Sequence, residues 1–177
     1  MLLRPRGTYS LHAIEAMTAR TLTIGGITLR GRFGEFLKGA RRAAVFVVTA
    51  GGEISRRAKA RCEAGESLEG LVLDAIGSWA AESAAQALAV RLGEQLGPGE
   101  SFTLRYSPGY CGLHLRQQLN LFRLADAGSA GVALTPALLM QPIKSISGII
   151  GLGPRDEVGE HLSPCELCPL ADCRMRR

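Results

Sequence analysis

Ala43-Ala44-Val45-Phe46-Val47-Val48 is an uninterrupted apolar run, rich in β-branched residues and closed by the turn-forming Thr49-Ala50-Gly51-Gly52. Such a run predicts a strand buried on both faces, the centre of a sheet. Ser145 to Leu152 is a second apolar stretch and predicts another strand, in which Gly148, lacking a side chain, leaves room for a ligand or a facing strand. Between these two lie the helical patterns. Glu53 to Cys62 is helical and basic, with Arg56, Arg57, Lys59 and Arg61, and therefore mostly exposed. Ser67 is placed to cap a long helix from about Leu68 to Leu96, with Glu69 near its positive end. Trp79, Val72, Ile76 and Val90 are expected to supply its packing faces. Asp74, Ser78, Glu82 and Gln86 recur every four residues and form one polar stripe along it.

Gly97-Pro98-Gly99 ends that helix and Ser101 to Leu104 predicts a short strand. A helical pattern follows from Leu113 to Ala125, then a small-residue loop from Asp126 to Gly131 and a short strand from Val132 to Leu134. Thr135 and Pro136 carry the cap and first-turn signature of a brief helix running to Met140. Ahead of the central run, Leu11, Ile14 and Met17 give a helical spacing with His12 and Glu15 opposite. Thr21 to Arg30 is β-like around a Gly25-Gly26 turn, and Gly34 to Ala40 predicts a short helix. Strands of mixed spacing without regular β-α alternation favour an α+β fold: one compact domain, a twisted antiparallel sheet with helices packed around it.

A chain of 177 residues can bury a core without staples, and 46% hydrophobic with 21% charged residues is an ordinary globular composition. No apolar run reaches the length of a membrane span, and Met1 to Arg6 lacks the apolar core of a signal peptide, so a cytoplasmic location is expected and no membrane partner. The net charge of +5 is uneven: residues 1–62 carry +9 and the remainder −4. A basic first third can be a solvated face or can meet an acidic protein. Nucleic acid is disfavoured, since only 5% of residues are aromatic and no known binding signature is evident.

Arg105-Tyr106-Ser107-Pro108-Gly109-Tyr110, followed by Cys111-Gly112, reads as a tight turn between strand and helix. Proline pre-sets φ at the turn's second position and glycine permits positive φ at the third. An arginine fork matches a carboxylate, and a phenol offers a flat face and one hydroxyl. That combination suits a small zwitterion carrying an aromatic base.

The Arg-x-x-x-Gly-Tyr pattern resembles the activation domain of vitamin-B12-dependent methionine synthase. The likeness continues in Leu134-Thr135-Pro136, Met140-Gln141-Pro142 and Ser145-Ile146-Ser147-Gly148, and it extends to small stand-alone members with a Ser-Pro-Gly-Tyr turn and a cysteine-containing tail. It covers about residues 43–153 plus the tail. The resemblance implies a division into a basic extension (1–42), an S-adenosylmethionine-binding domain (43–155) and a metal-binding tail (156–177). It implies ligand contacts at Glu82, Arg105, Tyr106, Ser107, Gly109, Tyr110, Ser147 and Gly148. The implied task is reductive activation of a corrinoid: S-adenosylmethionine donates a methyl group as inactive Co(II) is converted to methyl-Co(III), with no general base required. His12, His114 and His161 are scattered accordingly. The chain has no Asp-x-His-x-x-Gly segment of a corrinoid-binding domain, so the cobalamin is expected on a partner methyltransferase protein, with flavodoxin or ferredoxin as electron donor. It departs from the family in lacking a clear acidic ligand contact before Ala43 and a tyrosine-bearing strand over Gly153 to Leu162.

Five cysteines, an odd number, argue against a disulfide framework. Cys165 and Cys168 form a Cys-x2-Cys between Pro164 and Pro169, with Cys173 beyond. Two thiolates at that spacing can bind one metal centre, and Cys111 beside the turn is the candidate fourth ligand. An Fe-S cluster delivering electrons, a structural Zn and an unmetallated tail are the three readings, while Cys62 is expected to be a plain thiol. Two other functions are weighed: a non-catalytic binding or assembly module for a corrinoid methyltransferase, and a metal-dependent nucleic-acid protein.

Overall fold

The computed structural model describes residues 1–158 and Asp172; Cys165, Cys168, Cys173 and His161 lie outside the described residues. The elements are β1 (Arg6–Met17), β2 (Thr21–Ile24), β3 (Ile27–Arg30), α1 (Phe33–Phe36), β4 (Arg42–Thr49), α2 (Glu53–Glu63), α3 (Ser67–Glu94), β5 (Glu100–Phe102), α4 (Gln118–Leu124), β6 (Ala133–Leu134), β7 (Met140–Gln141) and β8 (Ser145–Pro154). Six strands form one sheet in the order β3-β2-β1-β4-β8-β5, with every neighbouring pair antiparallel. β6 and β7 form a separate small hairpin. The α+β reading therefore holds.

β4 is the central strand that its sequence predicts, with Ala43 to Val48 no more than 1% exposed. Strand alternation divides the run between two cores. Ala43, Val45 and Val47 join Phe33, Leu37, Tyr106, Leu121 and Ile149 on one face, while Ala44, Phe46 and Val48 meet Ala85, Leu88, Leu92 and Ile150 on the other. Burying each such Val, Leu or Phe side chain stabilises the fold by about 1.5–3 kcal/mol. β8 lies beside β4 in register, Val45 opposite Ile149 and Phe46 opposite Gly148. At the sheet edge, Arg42 Nη2 donates to both oxygens of Glu100, at 2.7 and 2.8 Å, and so ties β5 to the centre.

Residues 1–42 add three strands and α1 to this frame. The helical spacing at Leu11, Ile14 and Met17 is overruled: this segment is β1, paired over residues 6–13 with β4 and over 14–17 with β2. A long strand that completes two ladders satisfies more backbone groups than an isolated amphipathic helix at the same place. The β2–β3 hairpin turns at Gly25-Gly26 as its sequence suggests. Thr135 to Met140 is also not a helix. Leu134 pairs with Met140, the chain turns through Leu138 at φ 63°, and the Thr135 hydroxyl accepts from Leu139 N–H at 3.0 Å. The capping oxygen is real, but it closes a hairpin turn.

The long helix begins one residue earlier than expected, with Ser67 in its first turn and no side-chain cap. Its packing face is also different. Small residues meet the sheet (Ala81, Ala85 and Ala89, with Leu88 and Leu92), because Phe46 and Ile150 already fill the space beneath them. Trp79, Val72, Ile76 and Val90 stand outward instead, between 40% and 69% exposed. Trp79→Ala is accordingly expected to change stability by no more than about 0.5 kcal/mol, and Ala85→Leu to cost about 1–3 kcal/mol by overpacking. Chemical denaturation of the two variants checks both; a larger loss for Trp79→Ala than for Ala85→Leu reverses the assignment of faces.

Candidate functional site

The turn at residues 105–110 hangs from β8. Tyr106 and Ile149 exchange both backbone hydrogen bonds at 2.9 Å, which extends the sheet by one isolated bridge. Tyr110 N–H then donates to Ser107 C=O at 3.2 Å, with Pro108 second and Gly109 third in the turn at φ 92°. That is the type II arrangement, in which only glycine takes the third position without strain. Gly109 N–H donates to Leu113 C=O at 2.8 Å, folding the next segment back toward the turn.

Tyr106 points inward. Its ring is 1% exposed, stacks on Phe36 with centroids 4.1 Å apart and meets Phe33 edge-on at 5.5 Å. The hydroxyl accepts from Arg32 N–H at 3.0 Å and donates to Cys111 C=O at 3.1 Å. Burial raises its pKa, with the Arg32 hydrogen bond opposing. The phenol's hydrogen-bonding capacity is thus already committed within the protein.

That cleft has a volume of about 340 Å³. Of the residues proposed from sequence, Glu82, Arg105, Tyr106, Ser107, Tyr110 and Ser147 line it together. Glu82 arrives from α3, Arg105 to Tyr110 from the turn and Ser147 from β8. Gly109 and Gly148 are not among its lining residues: Gly109 shapes the turn, and Gly148 keeps β8 bare where Ser107 Oγ and the Phe46 ring press close, 2.8 and 3.0 Å from where a Cβ would stand. Phe36, Leu115 and Gln118 complete the wall without having been singled out in the sequence, beside Pro108 of the turn and Met140, Ser145 and Ile146 of the family pattern. Phe36 falls before the stretch that carries the family pattern, and Leu115 and Gln118 carry no signal of their own within the helical pattern of residues 113–125.

The cleft's charge is concentrated in one pair. Arg105 Nη2 donates to Glu82 Oε2 at 2.6 Å, while Arg105 Nη1 is buried without a hydrogen-bond partner. Farther along the polar stripe, Lys144 Nζ contacts Asp74 at 2.7 Å and Ser78 Oγ at 2.9 Å. The stripe therefore answers cations offered by the strand side of the molecule. Tyr110 stands at the rim, 66% exposed.

The cysteines are only partly described. Cys111 is half-buried at φ 44°, next in sequence to the cleft residue Tyr110, and Cys62 is exposed on α2. Among the described residues no group of three or more His, Cys, Asp or Glu side chains is placed to hold a metal ion. No described helix is long and apolar enough to cross a membrane. His12 bonds Ser10 at 2.8 Å and His114 Nδ1 accepts from Arg116 N–H at 3.1 Å, so both serve local structure.

The fold is an antiparallel α+β domain whose arginine-carboxylate cleft lies under a Ser-Pro-Gly-Tyr turn, a concave site of the kind that small molecules fit. The sequence model of the family described as "Vitamin B12 dependent methionine synthase, activation domain" matches residues 38–157, and the chain belongs to that family. Among solved structures it is similar to the crystal structure of the MetH reactivation domain bound to AdoHcy. The TM-score is 0.65 at 16% identity, over 92% of this chain and 62% of that one, a likeness of fold. Comparison with curated proteins finds no match.

Tyr106→Phe is expected to cost about 1–3 kcal/mol, because two hydrogen bonds are lost in a dry setting. Burial favours the neutral phenol, so its folded pKa lies above the ordinary 10.0. Its contribution is complete below about pH 10 and is lost as pH rises through the folded value. Denaturant midpoints measured on the alkaline side should fall more steeply for the native protein than for Tyr106→Phe. Parallel curves would show that the phenol's ionisation is not coupled to folding.

Proposed function

We propose that this protein binds S-adenosylmethionine in the cleft and presents its sulfonium methyl group to a corrinoid carried by a separate methyltransferase protein. The observation that carries the reading is Arg105, with one amino group on Glu82 and the other buried without a partner. A ligand carboxylate would satisfy Nη1, and the ligand's ammonium or ribose hydroxyls would find Glu82 at the same corner. Ser107, Tyr110, Ser147 and Tyr106 line the remainder. Gly109 and Gly148 contribute by shaping the turn and its seat on β8.

The chemistry is one electron and one methyl transfer. The electron reduces the partner's Co(II) to Co(I); the Co(I) electron pair then takes the methyl from sulfur, forming methyl-Co(III) and releasing S-adenosylhomocysteine. No proton moves, so the domain's contribution is orientation: holding the methyl on the line to cobalt lowers the entropic part of the barrier. The electron source in this reading is either an Fe-S cluster on Cys165, Cys168, Cys173 and Cys111 or an external flavodoxin or ferredoxin. The Cys-x2-Cys spacing and the place of Cys111 next in sequence to the cleft residue Tyr110 support the first. The net charge of +9 on residues 1–62 supports docking of an acidic carrier or of the corrinoid protein, and reduced thiols suit a cytoplasmic setting.

One observation favours the alternative of a non-catalytic assembly module with structural Zn: Arg105 and Glu82 already satisfy each other in part. Titration calorimetry decides between them. The native protein should bind S-adenosylmethionine and S-adenosylhomocysteine, and Arg105→Ala should weaken both at least tenfold with an unchanged circular dichroism spectrum. Absence of binding by the native protein, with retained binding of a corrinoid protein, establishes the module instead. For the tail, protein purified without oxygen is expected to contain iron and to show broad visible absorption lost on Cys165→Ser; zinc in its place assigns a structural clasp.

A further inference from the structure

We infer that Gln118 is a specificity-determining residue that reads the exocyclic amine of the ligand's purine base; the inference rests on the proposed S-adenosylmethionine site and extends it. Gln118 is the first residue of α4, is 2% exposed, and lines the same cleft as Arg105 and Glu82. Its Oε1 is buried with no hydrogen-bond partner. A fold that merely needed to fill this position would be better served by leucine or methionine, since an unmet acceptor in a dry wall opposes folding. Of the cleft's other polar side chains, Ser145 is used within the protein, its Oγ donating to Pro142 C=O.

The missing partner must be a donor. An ammonium group is a donor, but it is drawn to the full charge of Glu82, on α3 beside Arg105, and not to a neutral amide on another element. The apolar residues in the lining of the same cleft are Phe36, Pro108, Leu115, Met140 and Ile146. A cleft with several apolar lining residues and one carboxamide suits an aromatic base that carries hydrogen-bonding edges. A primary amide offers an acceptor and a donor side by side, and adenine matches it with its 6-amino group and an adjacent ring nitrogen. A site built around such a hydrogen bond strongly rejects the analogue that lacks the donor, because the amide is then stranded.

The experiment compares S-adenosylhomocysteine with its purine analogue, in which the 6-amino group is replaced by hydrogen, on the full chain and on Gln118→Leu and Gln118→Met. The native protein is expected to bind the adenine compound at least tenfold more tightly than the purine compound. In both variants the two ligands should bind alike, at the purine compound's native affinity, while the melting temperature stays level or rises as the unmet acceptor is removed. Equal binding of the two compounds by the native protein overturns the inference with the proposed site intact, as does retained discrimination in the variants. A melting temperature lowered in both variants overturns it as well, by assigning Gln118 to the fold. Failure of the native protein to bind either compound refutes the site itself.

Discussion

Tyr106 joins three pieces of chain: its own turn, the segment around Arg32 and Phe36, and β8. Its backbone is bridged to β8, its ring is stacked on Phe36 of α1, and its oxygen holds the amide of Arg32 and the carbonyl of Cys111. A buried phenol is costly unless both its donor and its acceptor capacities are met. Here each is met by backbone, so the positions of the partners are fixed along with the ring. The turn that displays Arg105 can vary its orientation only as far as this clasp permits. The cleft is thus held by the core, although its charged residues lie at the surface.

Much of this was legible before any coordinates. The run at residues 43–48 named the central strand, because continuous apolar sequence has few alternatives to burial on both faces. The Ser-Pro-Gly-Tyr turn was legible for a local reason: proline and glycine dictate their own backbone angles wherever they stand. What escaped the sequence was tertiary in origin. Residues 6–17 have the spacing of a helix but are claimed by two ladders, with β4 and β2. Tyr106 looked like a ligand contact because a tyrosine beside an arginine has the right chemistry, and nothing in its neighbours announces that Arg32 and Cys111 will occupy its oxygen. Phe36 lies before the stretch that carries the family pattern and Gln118 has no signal of its own within its helical stretch, and only the fold brings them to the cleft.

The helix α3 shows why apolar content alone did not assign its faces. It carries large side chains and alanines on opposite sides, and either set is hydrophobic enough to be buried. The choice was made by the sheet. Phe46, Ile150 and Leu152 project far enough that only alanines and two leucines fit between helix and strands. The same close approach turns Glu82 toward the strand side, where Arg105 reaches it. Small residues on the packed face therefore have a consequence at the cleft as well as in the core.

The Arg105–Glu82 pair can be weighed by its surroundings. With side chains 32% and 60% exposed, it is a partly solvated ion pair of a kind that contributes about 0–1 kcal/mol. Breaking or widening it is therefore inexpensive. The buried Nη1 is different, since a guanidinium nitrogen shut away from water without an acceptor is a standing cost that a carboxylate would remove. A zwitterion exchanges one weak contact for two charge-assisted ones, whereas a simple cation or anion meets only half of the corner and must compete with the residue already there. Under the proposed function the corner thus suits an amino acid better than either charge alone, and the apolar residues of the lining suit one with a large substituent.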